Sequence, residues 1–285
     1  MAVIRCATMT NQNTTFPSSV DHSLVQYSEQ EGVAVLRLHN PPANTYSLEM
    51  MLALDAAILR ARFSDAVHVL LLIGAGDRFF CAGADIAMLD RATPGYKYNF
   101  CLHANETLLR LEQTSKLVIA ALNGHCVGGG LEIAMAADLR IGSASSTGKV
   151  GLPEVALGVL PGTGGTQRLA RLIGKSRAIE LMVKGQNLTM AQAQALGIVN
   201  ELLTPTEGQS FEAAALQYAR GFCPPGRASM AVGRIKRAVQ TGAELSLEAG
   251  LALERELQQQ LFQSADAKEG ISAYVQKRTP QFQGK

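Results

Sequence analysis

The chain has 285 residues, 47% of them hydrophobic, and a formal net charge of +2 from 26 basic and 24 acidic side chains. This composition indicates a soluble globular protein with a large core, and the near-neutral charge provides no overall attraction to nucleic acid or an anionic membrane. No apolar run reaches the ~18 residues that a membrane span needs. We therefore expect neither nucleic acid nor a membrane as a partner.

Cysteines and histidines are few and scattered. The five cysteines include no Cys-x-x-Cys pair, and the five histidines form no His-Glu-x-x-His pattern. An odd number of cysteines cannot pair completely within one chain, which favours a reducing compartment. We therefore expect no metal ion and a cytoplasmic location.

The N-terminal segment, residues 1–22, is polar and rich in Ser, Thr and Asn. It lacks the apolar stretch of a secretory signal, so we expect a flexible leader. A mitochondrial transit peptide would carry several arginines, whereas this segment has only Arg5. The mitochondrial matrix is therefore the less favoured alternative location.

Strand-like and helix-like segments alternate through the first two thirds of the chain. Leu48–Phe63 has helical periodicity with Ser47 placed to cap it, and shorter helices are predicted over Ile86–Arg91 and 131–137. Three apolar runs bounded by glycine or polar residues are predicted strands: 32–39, 67–74 and 116–124. The alternation predicts an α/β fold.

From Gln167 onward the pattern becomes mostly helical. Thr189 and Gln192 have the spacing of a capping box, which begins a helix, and Gly197 is suited to end that helix. A break at Thr204 precedes three further predicted helices: 211–222, 227–240 and 245–262. We therefore predict a core over 23–203 and a helical C-terminal subdomain over 204–285.

Two glutamates, Glu132 and Glu154, lie 22 residues apart, each in a nearly charge-free, glycine-rich stretch. A buried carboxylate must be paired, hydrogen-bonded or protonated, and burial raises its pKa. Two such groups suggest acid/base chemistry. Taken separately, Glu132 could instead complement a helix dipole, and Glu154 could be a solvated loop acid.

Two turns could present backbone N–H groups to a ligand. Small residues follow the apolar end of 79–81, and the triple glycine 128–130 precedes a predicted helix. Together the two turns could hold one oxyanion, although each alone could be only a tight turn. Gly74 and Gly76 lack the third glycine of a dinucleotide fingerprint, and the stretch from Gly162 lacks the Lys-Ser/Thr of a P-loop.

Three motifs carry a family resemblance. They are Phe80-Cys-Ala-Gly-Ala-Asp-Ile, Asn123-Gly-His-Cys-Val-Gly-Gly-Gly-Leu-Glu and Leu152-Pro-Glu-Val-Ala-Leu-Gly-Val-Leu-Pro-Gly-Thr-Gly-Gly. They resemble the signatures of the enoyl-CoA hydratase/isomerase (crotonase) superfamily, and the resemblance extends from about Leu24 to 269–278. It implies an α/β spiral of ββα units with a C-terminal helical trimerisation subdomain, assembled as a homotrimer or homohexamer.

The resemblance also implies an activity, that of an enoyl-CoA hydratase adding water across the 2,3 double bond of an enoyl-CoA thioester. The N–H groups of Ala84 and Gly129 correspond to the family's oxyanion hole. Glu132 matches the position that activates water, and Glu154 the position that gives a proton to the α-carbon. The N–H of Gly162 would help to orient the water.

The same comparison implies where the substrate lies. Contacts to the acyl-CoA are expected from Ala84, Asp85, Ile86 and Gly129, and an apolar acyl pocket is expected at Met88 and Leu89. No cofactor is implied, because the coenzyme A is part of the substrate. Asp85 and Asp138 are interpreted as cap or scaffold residues.

Two alternatives remain open from the sequence. Within the superfamily, the chain could be an enoyl-CoA isomerase or another acyl-CoA lyase or hydratase. Outside enzymes, it could be an RNA-binding or scaffold protein that retains the fold, although the near-neutral charge argues against RNA binding. Ala87 and Asn187 replace basic residues common in the family, so the contacts to the CoA phosphates differ from the usual pattern.

Overall fold

The computed structural model describes Pro17 and residues 19–285. The predicted leader over 1–22 therefore lies largely outside the described residues, and the division of the chain at residue 203 stays a prediction.

The described residues form two β-sheets and surrounding helices. The strands are β1 (Val25–Gln30), β2 (Val33–Leu38), β3 (Val69–Gly74), β4 (Phe79–Cys81), β5 (Leu117–Leu122), β6 (His125–Val127), β7 (Leu139–Ser143), β8 (Lys149–Gly151), β9 (Asn187–Thr189) and β10 (Glu201–Leu203). The α-helices are α1 (Leu48–Phe63), α2 (Ile86–Arg91), α3 (Pro94–Glu112), α4 (Gly129–Met135), α5 (Gly165–Ile173), α6 (Lys175–Lys184), α7 (Met190–Ala195), α8 (Phe211–Arg220), α9 (Ser229–Gly242), α10 (Leu247–Phe262) and α11 (Ala265–Val275). A 3-10 helix covers Glu154–Leu157.

The connections between the sheets follow a spiral. The larger sheet has the order β1-β2-β3-β5-β7-β10 and the smaller one the order β4-β6-β8-β9. In three successive turns of chain, β3/β4, β5/β6 and β7/β8, the first strand joins the larger sheet and the second joins the smaller one. Helices follow each pair. This arrangement confirms the expected spiral of ββα units.

Central strands of the larger sheet are apolar because both of their faces are covered. Every residue of β3 and of β5 is buried. One face packs against a core that includes α1, and the other against α8 through Ala215 and Ala219. Parallel strands that are buried on both faces consist of nearly continuous hydrophobic residues. Because β3 and β5 have this pattern, they could be predicted from the sequence.

The predicted helices agree with the structure to within a few residues. Helices α1 and α2 have the predicted bounds, and Ser47 caps α1 by accepting a hydrogen bond from Met50 N–H. Thr189 and Gln192 form the predicted capping box of α7. Strand β1 was not predicted, because it is a polar edge strand whose residues are mostly exposed.

Two asparagines fix the loop that leads into β4. Asn123 Nδ2 donates to the carbonyls of Gly74 and Gly76 at 3.0 and 2.7 Å, while its Oδ1 accepts from Gly74 N–H at 3.1 Å. Asn44 Nδ2 donates to the carbonyls of Ala75 and Phe79 at 3.0 and 2.9 Å. These bonds give the backbone carbonyls of residues 74–79 side-chain donors where the chain passes from β3 to β4.

A buried ion pair connects the C-terminal helices to the core. Lys236 Nζ on α9 lies 2.8 Å from Asp138 Oδ2, and the same carboxylate accepts hydrogen bonds from Val118 N–H and Gln240 Nε2 at 2.7 Å each. Asp138 thus has the scaffold position expected of it. Across the part of the chain that the structure describes, every helix is too short or too polar to cross a membrane.

Candidate active site

The site lies where three neighbouring strands of the smaller sheet end. Strands β4, β6 and β8 run parallel, with β6 between the other two. Because the carboxyl ends of parallel strands lie at one edge of a sheet, the segments that follow them are brought together. These segments begin with Ala82, Gly128 and Leu152, and they lead directly to Ala84, Gly129 and Glu154.

The first two segments are in contact through glycines. A methyl group on Gly83 would lie 3.2 Å from Gly129 N, and Gly83 and Gly128 have φ values of +97° and +57°. Only glycine adopts such backbone conformations readily and allows so close an approach. Sequence analysis placed Ala84 and Gly129 at one site, and the structure brings their turns together.

The backbone N–H groups of Ala84 and Gly129 are directed away from the hydrogen bonds of the neighbouring bridge and helix. Ala84 pairs with Tyr46 in a parallel bridge, whose hydrogen bonds are made by Gly83 C=O and Asp85 N–H. The N–H of Ala84 therefore points away from Tyr46. Gly129 is the first residue of α4, whose initial N–H groups have no partner within the helix and lie at its positive end.

Glu132 is buried, with 2% of its surface exposed. Its Oε1 accepts hydrogen bonds from the N–H groups of Thr163 at 2.8 Å and Gly165 at 2.6 Å, and its Oε2 accepts one from the Thr163 hydroxyl. Burial raises the pKa of Glu132, whereas these three hydrogen bonds and the nearby Arg168 oppose the rise. The carboxylate is thus well supplied with donors that favour its ionised form.

Glu154 has the opposite environment. It begins the 3-10 helix after β8, and its Oε1 would lie 3.1 Å from a methyl group on Gly128. Its Oε2 is buried without a hydrogen-bond partner among the described residues. Burial is the main cause that raises the pKa of Glu154 to about 7, and the charge of Glu132 contributes. One carboxyl group is therefore supported as an anion and the other is readily protonated.

The remaining predicted positions surround these groups. Asp85 caps α2, because its Oδ1 accepts from Ala87 and Met88 N–H at 2.8 and 3.2 Å. On that helix Ile86 is 54% exposed, Met88 is buried and Leu89 packs partly against the core. Gly162, expected to orient water through its N–H, is exposed, and its carbonyl accepts from Asn105 Nδ2 at 3.3 Å.

Sequence analysis missed the groups that hold Glu132. Thr163 and Gly165 donate to its carboxylate, and the hydroxyl of the buried Tyr46 lies 3.3 Å from Thr163 Oγ1. The stretch from Gly162 was expected to contribute only the Gly162 N–H, as a group that orients water. Its three glycines and Thr163, shortly after Glu154 in the sequence, were the available signal for a loop that binds a carboxylate.

Metal ligation finds no support in the described part of the chain. Within Pro17 and residues 19–285, no group of three or more His, Cys, Asp or Glu side chains is placed to hold a metal ion. The groups that the site does present are two carboxyl groups suited to proton transfer beside two backbone N–H donors.

Comparison with known sequences identifies the family. Residues 28–285 match the family model described as enoyl-CoA hydratase/isomerase. The chain is 35% identical over 259 residues to a putative enoyl-CoA hydratase/isomerase of Bacillus subtilis, with 90% of this chain and 96% of the relative covered. It is 36% identical over 252 residues to a short-chain-enoyl-CoA hydratase of Clostridium acetobutylicum, with 88% and 94% covered.

Solved structures agree with these sequence matches. The chain superimposes on the crystal structure of an enoyl-CoA hydratase from Geobacillus kaustophilus with a TM-score of 0.87 and 43% identity, covering 92% of this chain and 97% of that one. A second crystal structure, of an enoyl-CoA hydratase from Bacillus anthracis, gives a TM-score of 0.84 at 31% identity, with 92% and 100% covered. The similarity thus extends over nearly the whole of each chain.

Proposed function

Since the chain belongs to the enoyl-CoA hydratase/isomerase family and is an enoyl-CoA hydratase, we propose that Glu132 and Glu154 carry out the hydration. In this proposal the 2,3 double bond of an enoyl-CoA thioester lies between the two carboxyl groups. The thioester carbonyl lies against the N–H groups of Ala84 and Gly129.

The two N–H groups serve as the oxyanion hole. Attack of water on C3 moves an electron pair through C2 onto the thioester oxygen, so negative charge develops there in the transition state. Preorganised donors aimed at developing charge are each worth about 3 kcal/mol of barrier. The support for this role is that Ala84 N–H is directed away from its backbone partner and Gly129 N–H lies at the start of α4.

Glu132 is the general base in this proposal. A base must be ionised before the reaction, and the donors of Thr163 and Gly165 favour the ionised carboxylate. Glu154 is the general acid. It must hold a proton at neutral pH, and a pKa of about 7 keeps a substantial fraction of it protonated.

Atoms, protons and electrons balance in the proposed hydration. The water oxygen forms a bond to C3, one water proton passes to Glu132, and the π electrons of the double bond become the enolate. Glu154 then transfers its proton to C2, and the enolate collapses to the thioester. The product is a 3-hydroxyacyl-CoA, and a proton must return from Glu132 to Glu154, through solvent or directly, before the next turnover.

The observation that carries this proposal is the contrast between the two carboxyl groups, one with three donors and one with an unpartnered buried oxygen. A steady-state assay on crotonyl-CoA and longer 2-trans-enoyl-CoAs tests it. We expect Glu132→Gln and Glu154→Gln each to lower kcat by roughly 100-fold or more, the contribution of a general acid or base.

Glu180→Gln is the matched control, because Glu180 is an exposed glutamate that pairs with the exposed Lys184. It should hydrate crotonyl-CoA at the wild-type rate. If both site variants also kept the wild-type kcat on every substrate, the roles proposed for Glu132 and Glu154 would be wrong.

We further propose that the acyl chain lies along α2. This helix begins two residues after Ala84, and its buried Met88 and half-buried Leu89 give it an apolar side. The exposed Ile86 is available to the CoA portion. The Asp85 carboxylate already caps the helix, so its contact with substrate would be through the backbone. No cofactor beyond the CoA of the substrate is needed for this chemistry.

Assembly as a homotrimer or homohexamer is part of the proposal. The C-terminal helices α9 to α11 expose large apolar side chains, among them Val239, Leu247 and Phe262 at 65, 78 and 58%. Apolar surface of this extent favours contact with another subunit. Light scattering coupled to gel filtration tests the proposal, and a monomeric mass at micromolar concentration would contradict it.

A further inference from the structure

Tyr46 is buried next to Thr163, whose hydroxyl donates to the proposed base Glu132. It is 2% exposed, and its ring stacks on Phe100 with the ring centroids 5.6 Å apart. Its hydroxyl lies 3.3 Å from Thr163 Oγ1, and a methyl group on Gly129 would lie 2.3 Å from the same hydroxyl oxygen. A buried phenol of this kind needs a hydrogen-bond partner, and Thr163 provides it.

Counting protons fixes the direction of these hydrogen bonds. An ionised carboxylate only accepts, so the single hydroxyl proton of Thr163 is directed to Glu132 Oε2. The Thr163 oxygen can then only accept from Tyr46. The result is a buried chain in which Tyr46 donates to Thr163 and Thr163 donates to Glu132.

We propose that Tyr46 is a positioning residue for hydration, whose hydroxyl orients and polarises the Thr163 hydroxyl so that Glu132 is held ionised and fixed in direction. Chains of hydrogen bonds strengthen one another in a low-dielectric interior. The inference rests on the proposed role of Glu132 as the base. The backbone of Tyr46 also pairs with Ala84, so this residue contacts both halves of the site.

Other ionisable groups face Glu132 from each neighbouring element. Cys101 on α3 and Glu154 on the 3-10 helix both interact with it unfavourably when charged, whereas Arg168 on α5 favours its ionised form. Arg168 is itself paired with Glu112 at 2.9 Å, which reduces its influence. The donors that contact the carboxylate directly are those of Thr163 and Gly165.

The test is Tyr46→Phe, which keeps the ring and removes the hydroxyl. Loss of one neutral hydrogen bond, about 1 kcal/mol, corresponds to about a fivefold fall in kcat with KM unchanged. The acid limb of the pH profile of kcat/KM should move up by about 0.5 to 1 pH unit. The basic limb should stay in place, because Glu132 is ionised on both sides of it. Tyr46→Met also lacks the hydroxyl, and its acid limb should move by the same amount.

Tyr27→Phe is the matched control. It removes a tyrosine hydroxyl that donates to a carboxylate, Glu29 Oε1 at 2.7 Å, on the edge strand β1. Its profile should coincide with that of the wild type. An acid limb unmoved in both Tyr46 variants would overturn the proposal.

A double-mutant cycle tests whether Tyr46 acts through Thr163. Thr163→Val should move the acid limb further than Tyr46→Phe does, and Thr163→Ser, which keeps the hydroxyl, should restore it. Adding Tyr46→Phe to Thr163→Val should cause no further shift, and an additive shift would overturn the proposal. Full hydration by Glu132→Gln would instead contradict the proposed function, so the two failures are distinguishable.

Discussion

Gly128 and Glu154 approach each other so closely that a side chain on the glycine would contact the carboxylate. A methyl group there would lie 3.1 Å from Glu154 Oε1, and the backbone of Gly128 has a φ of +57°. We predict that Gly128→Ala lowers kcat by about tenfold, because Glu154 must move by a few tenths of an ångström, whereas a misplacement of ~1 Å at a reacting group costs about 100-fold. Steady-state assay on crotonyl-CoA measures this effect.

Gly76→Ala is the matched control for Gly128→Ala. Gly76 has a similar positive φ of +78°, but a methyl group there would meet no atom within 4 Å. Both substitutions should lower the free energy of unfolding by about 1–3 kcal/mol through backbone strain. Only Gly128→Ala should lower kcat strongly, and equal losses of activity in the two variants would show that strain alone is responsible.

The raised pKa of Glu154 predicts the upper pH limit of activity. Because its pKa is about 7, the protonated acid is lost as the pH rises through 7. We expect kcat/KM for hydration to have a basic limb near pH 7. The same limb should appear in the dehydration direction, since both reactive forms hold one proton on the pair of glutamates. Activity that stays constant to pH 9 would contradict this assignment.

Glu154 also predicts how stability depends on pH. Its folded-state pKa is raised from 4.5 to about 7, so the folded protein keeps a proton that the unfolded chain has released between these values. Wild-type stability should therefore fall as the pH rises from 4.5 to 7. Glu154→Gln removes this loss and should be more stable than the wild type at pH 8, by on the order of 1 kcal/mol after allowance for partial exposure. Urea unfolding at pH 4.5 and pH 8 measures the difference, which should vanish at the lower pH.

The ion pair between Lys236 and Asp138 predicts a large loss of stability. Lys236→Met would leave a carboxylate buried without its counter-charge, which costs roughly 3–5 kcal/mol. Urea unfolding at pH 7 measures this loss. The pair is 4 and 10% exposed at its two side chains, so solvent cannot replace the lost partner.

Lys184→Met provides the comparison for Lys236→Met. Lys184 pairs with Glu180 one helical turn away, but both side chains are about 60% exposed. Removal of such a surface pair should change the free energy of unfolding by less than about 0.5 kcal/mol. A similar loss in both variants would contradict the importance assigned to burial.

Local sequence patterns were sufficient to predict much of the fold. The bounds of α1 followed from the Ser47 cap and the periodicity after it, and the capping box of Thr189 followed from spacing alone. Strands β6 and β8 could not be predicted in the same way. Each has three residues, and only pairing with neighbours distant in sequence makes such short segments into strands.

The site was also predictable only in part, because local patterns reveal single residues but not the contacts between residues distant in sequence. Two carboxylates in glycine-rich stretches indicated acid/base chemistry, and the family resemblance assigned separate roles to Glu132 and Glu154. The donors to Glu132 depend on tertiary contacts that no local pattern contains. Thr163 is 31 positions from Glu132, and Tyr46 is 117 positions from Thr163.

Two properties of the proposed site lie in different segments of the chain. The fit of the acyl group depends on the segment after β4, and proton transfer depends on the carboxyl groups that follow β6 and β8. Helices α2 and α3 are inserted between β4 and β5, after the first proposed N–H donor and before the second. In the proposed arrangement the acyl chain lies along α2, so substitutions on α2 would alter which acyl group fits while β6, β8 and the carboxyl groups that follow them stay unchanged. The proposed arrangement thus allows the substrate range to change without any change in the proton-transfer groups.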